Sequence, residues 1–351
     1  MLVSFVALSA WRLWPRAPEL TTAEPEVAPT IELSGPTMGT TWKVTVVGRL
    51  SAADQDAVAE TITRELDVVD AQMSTWRDDS DISRFNADVS TAVIPAPPEL
   101  LAVVRMANDI SAASDGAFDV TLAPLLDAWG FGPGGRKDAA PTPEQLDALR
   151  ARTGWHKLHA GADGLRKDDP ALRIELSAIA PGYAADRIVA ALVAGGWTRH
   201  MVDVGGEIRV TGESPRGGKW RLGIERPDTT GGTIQEVVEL ADQALATSGD
   251  YRNYYERDGV RVSHTLDPRS GRPIAHKLAS VSVILPSAAL ADGWATALNV
   301  LGPDAGHALA EARSIPALFL VRGPDGGFDE RTTTPFAALR PATARATLEA
   351  P

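Results

Sequence analysis

The sequence predicts an α+β fold, with mixed, mostly antiparallel sheets packed against helices. Two periodicities occur along the chain: apolar residues three or four apart, as on one face of a helix, and alternating polar and apolar residues, as in a half-buried strand. They follow one another without the regular alternation that a parallel βαβ sheet requires. With 351 residues, and roughly 150 residues to a domain, the chain has room for one large domain or for a pair of smaller ones.

The first half of the chain contains one predicted strand and three predicted helices. Polar and apolar residues alternate over 40–47, which predicts a half-buried strand. Ser51 and Asp54 then resemble a capping box, and apolar residues follow at helical spacing from Val58 to Val69. Two further helices are predicted over 99–110 and from Thr142 to Gly154.

The second half is richer in strands, with turn residues between most of them. Two helices interrupt these strands, because Ser287 is a typical N-cap and glycines close each helical pattern. The predicted helices cover 182–194 and 288–300, the latter closed by Gly302 and Pro303. The predicted strands cover 172–177, 199–211, 219–225, 235–241, 260–266, 278–285 and 316–322.

The ends of the chain differ in composition from its centre. Residues 2–11 are mostly apolar, too few for a membrane span of about 20 residues, and no basic residue precedes them. Residues 15–30 contain four prolines, which favour an extended tether. We therefore predict a hydrophobic anchor or signal remnant and a tether over 1–30, with an unstructured N-terminus as the alternative. The folded body is expected over 31–331, either undivided or as two lobes (31–170 and 171–331), with a loose tail over 332–351.

Charge and composition exclude several classes of protein. Lys and Arg number 34 against 46 Asp and Glu, and the net charge of −12 repels nucleic acid. The chain has no cysteine, which removes thiolate catalysis, iron–sulfur ligation and lipid attachment to a cysteine. GxxxxGK[ST], HExxH and GxSxG motifs are missing. Any metal must therefore use oxygen or imidazole ligands.

Asp292 and Thr296 lie one helical turn apart on the predicted helix 288–300. Both side chains therefore project from the same face and could meet a single hard cation. An exposed helix face or a local hydrogen bond is the alternative. A cation with one carboxylate ligand keeps water molecules or takes phosphate oxygens, as Mg²⁺ does, which would make this a nucleotide site.

His264 ends a predicted strand close to Asp267. A histidine in that setting could act as a general base, although a structural role is the alternative. Two glycine-containing stretches, 203–207 and 246–254, could approach a ligand through their backbone, or could be a bulge and a strand-ending turn. Between them they hold three glycines in otherwise strand-like surroundings.

The polar segment 73–86 contains two aromatic residues, Trp76 and Phe85. Such a loop is either anchored in the core by its aromatics or presents a flat ring that stacks on an isoalloxazine or adenine. The segment 115–121 is a turn that leads into apolar residues, and is unremarkable by itself.

Taken in chain order, these segments resemble the ApbE family of FAD:protein FMN transferases. Each motif is short, and the order in which they occur carries the resemblance, which covers about residues 33–322. The matching stretches are Met38-Gly39-Thr40-Thr41, 73–86, 116–121, 175–183, 204–208, Thr247-Ser248-Gly249-Asp250-Tyr251, Ser263-His264 with Asp267-Pro268, and Ala291-Asp292 with Ala295-Thr296. The resemblance implies an ApbE-like, T-fold-like architecture.

The resemblance also implies the residues of a site. Mg²⁺ would be bound by the carbonyl of Ala178 together with Asp292 and Thr296, and His264 matches the histidine usually considered for the base. FAD contacts are implied at Met38, Trp76, Ala117, Phe118, Asp119, Glu175, Pro181 and Leu266. Position 175 is often Asp in the family and 181 is often Lys or Glu. Pro181 can contribute only packing, because it has neither a polar side chain nor a backbone donor.

The implied reaction is transfer of FMN from FAD to a threonine of an acceptor protein, with release of AMP and with Mg²⁺ as cofactor. Two alternatives remain at this point: a non-catalytic FAD-binding protein, and a pyrophosphatase that splits FAD into FMN and AMP. The family's acceptors are flavoprotein subunits of membrane electron-transfer complexes. Together with the N-terminal run, this leads us to expect a protein tethered at the inner membrane and facing the periplasm.

Overall fold

The structure, a computed structural model, describes residues 27–228, 232–250, 254–257 and 260–341. Its helices are α1 Ala52–Met73, α2 Asp81–Ala87, α3 Pro98–Ala113, α4 Ala123–Trp129, α5 Pro143–Arg150, α6 Ala180–Ala194, α7 Ala288–Ala312 and α8 Thr334–Ala337. Its strands are β1 Thr30–Thr37, β2 Thr40–Val47, β3 Ile94–Pro95, β4 Leu158–Ala160, β5 Gly164–Lys167, β6 His200–Val204, β7 Glu207–Thr211, β8 Trp220–Glu225, β9 Ile234–Leu240, β10 Ala244–Gly249, β11 Tyr254–Arg257, β12 Val260–Ser263, β13 Leu266–Asp267, β14 Arg272–Pro273, β15 Leu278–Leu285, β16 Ala317–Arg322 and β17 Phe328–Thr332.

One eight-stranded sheet organises the molecule, in the order β1-β2-β6-β7-β10-β15-β16-β17. Its neighbouring strands pair antiparallel. Helices α1, α3, α6 and α7 contribute to the larger core on one face of this sheet. The mixed, antiparallel α+β architecture predicted from the sequence is confirmed.

Both faces of the sheet are covered, which explains why some strands are apolar throughout. In β16, Phe319 belongs to the larger core, whereas its neighbours Leu318 and Leu320 belong to a second core. Successive side chains of a strand point to opposite faces, so the two cores lie on opposite sides of the sheet. The β8–β9 hairpin and Phe336 of α8 complete the second core.

The predicted helix boundaries agree with the structure where capping residues marked them. Ser51 accepts a hydrogen bond from the backbone N–H of Asp54 (3.2 Å), and Thr142 does the same for Gln145 (3.3 Å). The helix predicted over 288–300 ends where Gly302 leaves the helical conformation (φ 80°), and the chain becomes helical again from Pro303 within the range given for α7. The glycine and proline therefore divide α7 into two helical segments, as the predicted closing signal indicates.

The strand predicted over 172–177 is absent. Leu172, Ile174 and Leu176 are fully buried, so the alternating apolar residues of this segment do face the core, as expected for a half-buried strand. The backbone of Ile174, however, pairs with the side chain of Asn86 instead of with another strand. Alternation reports which side chains are buried and does not show whether a strand lies alongside.

Other predicted elements were merged or missed. The segment 199–211 is a hairpin of two strands, β6 and β7, and 260–266 reaches two short strands, β12 and β13. The predicted loop 73–86 contains the start of α2, whose N-cap Ser80 accepts from the N–H of Ser83 (3.0 Å). Strand β1 was missed although its residues alternate between exposed and partly buried, whereas helix α4 and the short strands β3 to β5 had no clear periodicity.

The two halves of the body share the main sheet, because β2 pairs with β6 across the proposed division near residue 170. Within the expected loose tail, residues 334–337 form a helix whose Phe336 is fully buried, whereas 342–351 lie outside the described residues. The predicted anchor and most of the tether also lie outside them. In the part of the chain that the structure describes, no helix is both long and apolar enough to cross a membrane.

Candidate functional site

A cavity of about 620 Å³ brings together segments that lie far apart in the sequence. A second cavity of about 740 Å³ lies beside it, and both are lined by Glu175, Ser177 and His264. Trp76 lines the second cavity. The other predicted site residues line the first: Met38, Ala117, Phe118, Asp119, Glu175, Ala178, Pro181, His264, Leu266, Asp292 and Thr296.

Met38 reaches the first cavity from the tight turn between β1 and β2. Thr37 pairs with Thr40, so that Met38 and Gly39 are the two turn residues, with φ angles of 42° and 74°. Such turns require positive φ at both positions, which glycine adopts freely and methionine at a cost of roughly 1–2 kcal/mol. The hairpin thus fixes the position of a half-buried methionine at the cavity wall.

Asp119 lies in the turn before α4 and is held by its own surroundings. Its Oδ1 accepts from the backbone N–H and the hydroxyl of Thr121 (both 2.7 Å), and its Oδ2 accepts from the N–H of Trp155 (2.9 Å). Burial raises the pKa of Asp119, against the effect of these hydrogen bonds. The carboxylate therefore lines the cavity and also connects the segments that contain Thr121 and Trp155.

Glu175 and Ser177 project from the extended segment 172–177 into the space between the cavities. The Glu175 carboxylate accepts from the backbone N–H (2.8 Å) and the hydroxyl (2.7 Å) of Ser177. Burial raises the pKa of Glu175, whereas these hydrogen bonds lower it. Ser177 was not singled out as a site residue, and its spacing of two from Glu175 was the available signal.

Asp292 and Thr296 lie on α7 as predicted, and Ala178 precedes α6. Asp292 is only 8 % exposed and accepts a hydrogen bond of 3.3 Å from the backbone N–H of Gly182. Burial raises its pKa to about 7, and the charge of Glu175 acts in the same direction. The structure thus holds a buried carboxylate at the cavity wall without enough positive charge to compensate it.

The donor set at this point suits a hard cation. The described lining of the first cavity includes neither Lys nor Arg, but it does include the carboxylates of Asp119, Glu175, Asp203, Glu207, Glu225 and Asp292. Within the described residues, no three His, Asp or Glu side chains come together as a metal-binding group. A cation would therefore be held by one carboxylate with hydroxyl and carbonyl oxygens, as the resemblance implies for Asp292, Thr296 and Ala178.

His264 lies between β12 and β13, where it lines both cavities and is partly buried. Its ring stands edge-on to Phe131, with 6.3 Å between the ring centroids. The carboxylate of Asp267 is engaged by Arg269, whose Nε lies 2.8 Å away. His264 thus lines the two cavities together with Glu175 and Ser177.

The two aromatic residues of 73–86 have different roles. Phe85 is buried in the core, whereas Trp76 is 71 % exposed at the second cavity. Arg77 holds this segment through ion pairs with Asp70 and Asp79 (both 3.0 Å). The anchoring role predicted as one alternative therefore falls to Phe85 alone, and the indole ring is available for stacking.

Backbone and small side chains form another part of the wall. Gly205 and Gly206 are the turn between β6 and β7, with φ angles of 71° and 109°, and both line the first cavity. This is a hairpin turn and not the bulge weighed above. In the stretch 246–254, Thr247 and Ser248 belong to β10 and line the same cavity, whereas 251–253 lie outside the described residues.

Comparisons with known proteins support the resemblance. The ApbE family model matches residues 38–319. The FAD:protein FMN transferase of Vibrio cholerae serotype O1 is 44% identical over 306 residues, which are 87% of this chain and 91% of the relative. That of Salmonella typhimurium is 41% identical over 316 residues, 89% of each chain.

Solved structures of ApbE flavin transferases have a fold similar to that of this chain. The flavin transferase ApbE from Vibrio cholerae has a TM-score of 0.82 at 43% identity, over 89% of this chain and 99% of that chain. The apo form of the Pseudomonas stutzeri flavinyl transferase ApbE also has a TM-score of 0.82 at 43% identity, over 89% of this chain and 97% of that one. The ApbE-like architecture expected from the sequence is confirmed.

Proposed function

The chain belongs to the ApbE family, and on this premise we propose that it transfers FMN from FAD to a threonine hydroxyl of an acceptor protein. Curated relatives at 38–44% identity are named FAD:protein FMN transferases, so the chain is a transferase. One observation carries the proposal: Asp292, Thr296 and Ala178 line the same cavity as all of the residues proposed to bind FAD except Trp76, which lines the adjoining one.

The two joined cavities suit a dinucleotide. FAD has two ring systems joined by a diphosphate, and pockets for such ligands are usually a few hundred Å³ each, with a few polar groups that fix orientation. The exposed indole of Trp76 offers a flat face to one ring system in the second cavity. In the first cavity, FAD would contact Met38, Ala117, Phe118, Asp119, Glu175, Pro181 and Leu266.

Mg²⁺ fits the remaining oxygen donors. Asp292, Thr296 and the carbonyl of Ala178 would hold it, which would relieve the charge on the buried carboxylate. When bound, Mg²⁺ would neutralise negative charge on the diphosphate oxygens and favour departure of AMP. Asp292 would contribute by fixing this cation at the wall that faces the diphosphate, since no described lysine or arginine lines the cavity.

His264 is proposed to accept the proton of the attacking threonine. The threonine oxygen forms a bond to the phosphorus on the FMN side, the bond from that phosphorus to the bridging oxygen breaks, and AMP leaves with that oxygen. An imidazole nitrogen of His264 takes the hydroxyl proton, a role that typically contributes roughly 10² to 10⁴ in rate. Its position at both cavities supports this assignment.

The acceptor is proposed to be a flavoprotein subunit of a membrane electron-transfer complex. The apolar run and proline-rich segment at the N-terminus support a place at the periplasmic face of the inner membrane. Equal distribution of the full chain between membrane and soluble fractions after cell disruption would argue against this place.

The function is tested by incubating the purified chain with FAD, Mg²⁺ and candidate acceptor subunits. We expect the acceptor to gain the mass of one FMN, to fluoresce after denaturation, and to release AMP in equal amount. Asp292→Asn should abolish labelling, whereas Asp109→Asn, a matched change on the exposed face of α3, should not. Free FMN without labelled acceptor would indicate a pyrophosphatase, and bound FAD without turnover a flavin-binding protein; either result would overturn the proposal.

The role of His264 is tested separately. His264→Ala should lower the labelling rate by roughly 10² or more, with FAD affinity nearly unchanged. Full labelling by this variant would remove the histidine from the role of base while leaving the transferase assignment intact.

A further inference from the structure

The segment 172–177 has the side-chain geometry of a strand but no strand beside it. Leu172, Ile174 and Leu176 are fully buried, whereas Arg173 and Glu175 line the cavities. A shift of one residue would exchange these two sets and move Glu175 into the core. In a sheet, the ladder of hydrogen bonds prevents such a shift, so this segment needs other partners.

The side chain of Asn86 replaces the missing strand at the centre of the segment. Its Oδ1 accepts from the N–H of Ile174 (2.7 Å) and its Nδ2 donates to the carbonyl of Ile174 (2.8 Å). This is the pair of contacts that an antiparallel neighbour makes with one residue. The N–H of Glu175 is held in turn by the carbonyl of Val120 (2.8 Å).

The ammonium group of Lys167 joins the start of the segment to α2. Lys167 is fully buried, and its Nζ donates to the carbonyls of Phe85 and Leu172, both at 3.1 Å. The same nitrogen lies 4.9 Å from the ring centroid of Phe85. Lys167 lines neither of the two cavities, so it can affect a ligand there only through the residues that it holds.

We propose that Asn86 and Lys167 form a positioning clamp that fixes the register of 172–177 and thereby holds Glu175 in place for FAD. Lys167 is a positioning residue, because it can act on the ligand only through the segment, whereas Asn86 holds the segment and also lines the second cavity. The clamp itself is independent of the proposed function, whereas its consequence for FAD rests on that function. Without the clamp, the segment retains its buried side chains and the hydrogen bond from Glu175 to Val120, but it loses the side-chain contacts to the backbone of Leu172 and Ile174.

The clamp is tested first on the free protein by hydrogen exchange of backbone amides. In Lys167→Met and in Asn86→Ala, the amides of Ile174 and Glu175 should exchange about tenfold faster, as expected for one lost hydrogen bond of roughly 1.4 kcal/mol. Amides of β15 in the same variants should be unchanged. Asn108→Ala is the matched control, since Asn108 also donates to a backbone carbonyl (Leu158, 3.0 Å) away from the cavities.

Unchanged exchange at Ile174 and Glu175 in both variants would overturn the clamp, and so would an equal acceleration in β15, which would mean general loss of stability. If Lys167→Met fails to fold, hydrogen exchange at Ile174 and Glu175 in Asn86→Ala alone tests whether the clamp exists.

The consequence for FAD is tested with a double-mutant cycle. Lys167→Met should weaken FAD binding about tenfold, and this loss should largely disappear in the background of Glu175→Gln, because the lysine acts through that glutamate. Equal losses in both backgrounds, or unchanged affinity, would overturn the positioning role. If the unaltered chain fails to bind FAD, the proposed function falls, and hydrogen exchange still decides whether the clamp exists.

Discussion

At Gly182, helix α6 approaches the backbone of α7 closely. A Cβ at this position would lie 2.4 Å from the carbonyl oxygen of Ala288 and 2.6 Å from its carbonyl carbon. The N–H of the same residue donates to Asp292. The absence of a side chain therefore sets both the distance between the helices and the hydrogen bond to the buried carboxylate.

Gly182→Ala should therefore destabilise the protein by about 1–3 kcal/mol, the usual cost of overpacking, and should reduce FMN transfer. Urea unfolding and the labelling assay measure the two effects. Gly161→Ala serves as control, because its Cβ would meet only the carbonyl oxygen of Gly164 at an ordinary 3.5 Å. Equal stability of the two variants would show that α6 and α7 can separate without cost.

His200 is a fully buried imidazole in β6. Burial lowers its pKa from 6.5 to about 4, with the nearby charge of Arg209 in the same direction and the carbonyl of Trp197 opposing both. Between these two pH values, His200 is protonated in the unfolded chain and neutral in the folded chain. The contribution of His200 to stability is therefore complete above pH 6.5 and is lost as the pH falls toward 4.

His200→Leu should remove this pH dependence. Between pH 7 and pH 4, the free energy of unfolding of the unaltered protein should fall by about 3 kcal/mol more than that of the variant. Urea titrations at both pH values measure this difference. His159→Leu, at a partly exposed imidazole, is the control. Parallel declines for His200→Leu and the unaltered protein would contradict the prediction.

At the scale of elements, the N-terminus of α7 is fixed by a residue of α6. The Asp186 carboxylate accepts from the hydroxyl of Ser287 (2.6 Å) and from the N–H groups of Ala288 (2.8 Å) and Ala289 (3.1 Å). It also forms an ion pair with Arg209. Helix α7 carries Asp292 and Thr296, so this cap sets the place of the proposed metal ligands.

Asp186→Ala should lower the free energy of unfolding by about 2 kcal/mol or more, because a helix cap is lost and Arg209 is left without this partner. It should also weaken Mg²⁺-dependent FAD binding. Asp186→Asn keeps an acceptor for the helix N–H groups and should lose less. Urea midpoints and FAD titrations distinguish the two variants, and an equal loss for both would assign the effect to charge alone.

The elements also show how far sequence reasoning reaches. Helices with capping residues, such as α1 and α5, were predicted close to their true starts, because caps are local signals. The segment 172–177 could not be assigned correctly, since its hydrogen-bond partners Asn86 and Val120 are distant in sequence. Helix α2 was too short for its periodicity to stand out within a polar segment.

Most of the site residues were predicted from the order of short motifs along the chain. The spacing of residues within each motif did not identify these. The cavity wall contains residues from Met38 to Val300, and no local pattern indicates that they meet. The resemblance named residues that the fold does bring together, and its matching stretches 175–183 and 204–208 contain Ser177 and the hairpin turn at Gly205 and Gly206, to which no site role was assigned. Their placement depends on strand pairing, which composition and periodicity leave open.

At the scale of the whole molecule, charge governs ligand entry. The chain carries a net charge of −12, and the described lining of the first cavity adds carboxylates but no lysine or arginine. A diphosphate should therefore bind more tightly together with a cation that offsets this repulsion.

Removal of divalent cations with EDTA should weaken FAD binding by about tenfold or more, equivalent to roughly 1.4 kcal/mol. Fluorescence titration measures the affinity. Riboflavin, which lacks phosphate, should bind equally with and without EDTA and so provides the control. Undiminished FAD affinity in EDTA would mean that protein groups alone compensate the diphosphate.

The pairing of β2 with β6, and the distance in sequence between Met38 and Thr296, have a consequence for biosynthesis. A nascent chain cannot assemble the pocket until most of it has left the ribosome, since the residues that line the pocket range from Met38 to Val300. Prematurely terminated chains should thus fail to bind FAD, and FAD binding must follow folding of the chain. Such sequence-distant contacts also predict comparatively slow maturation.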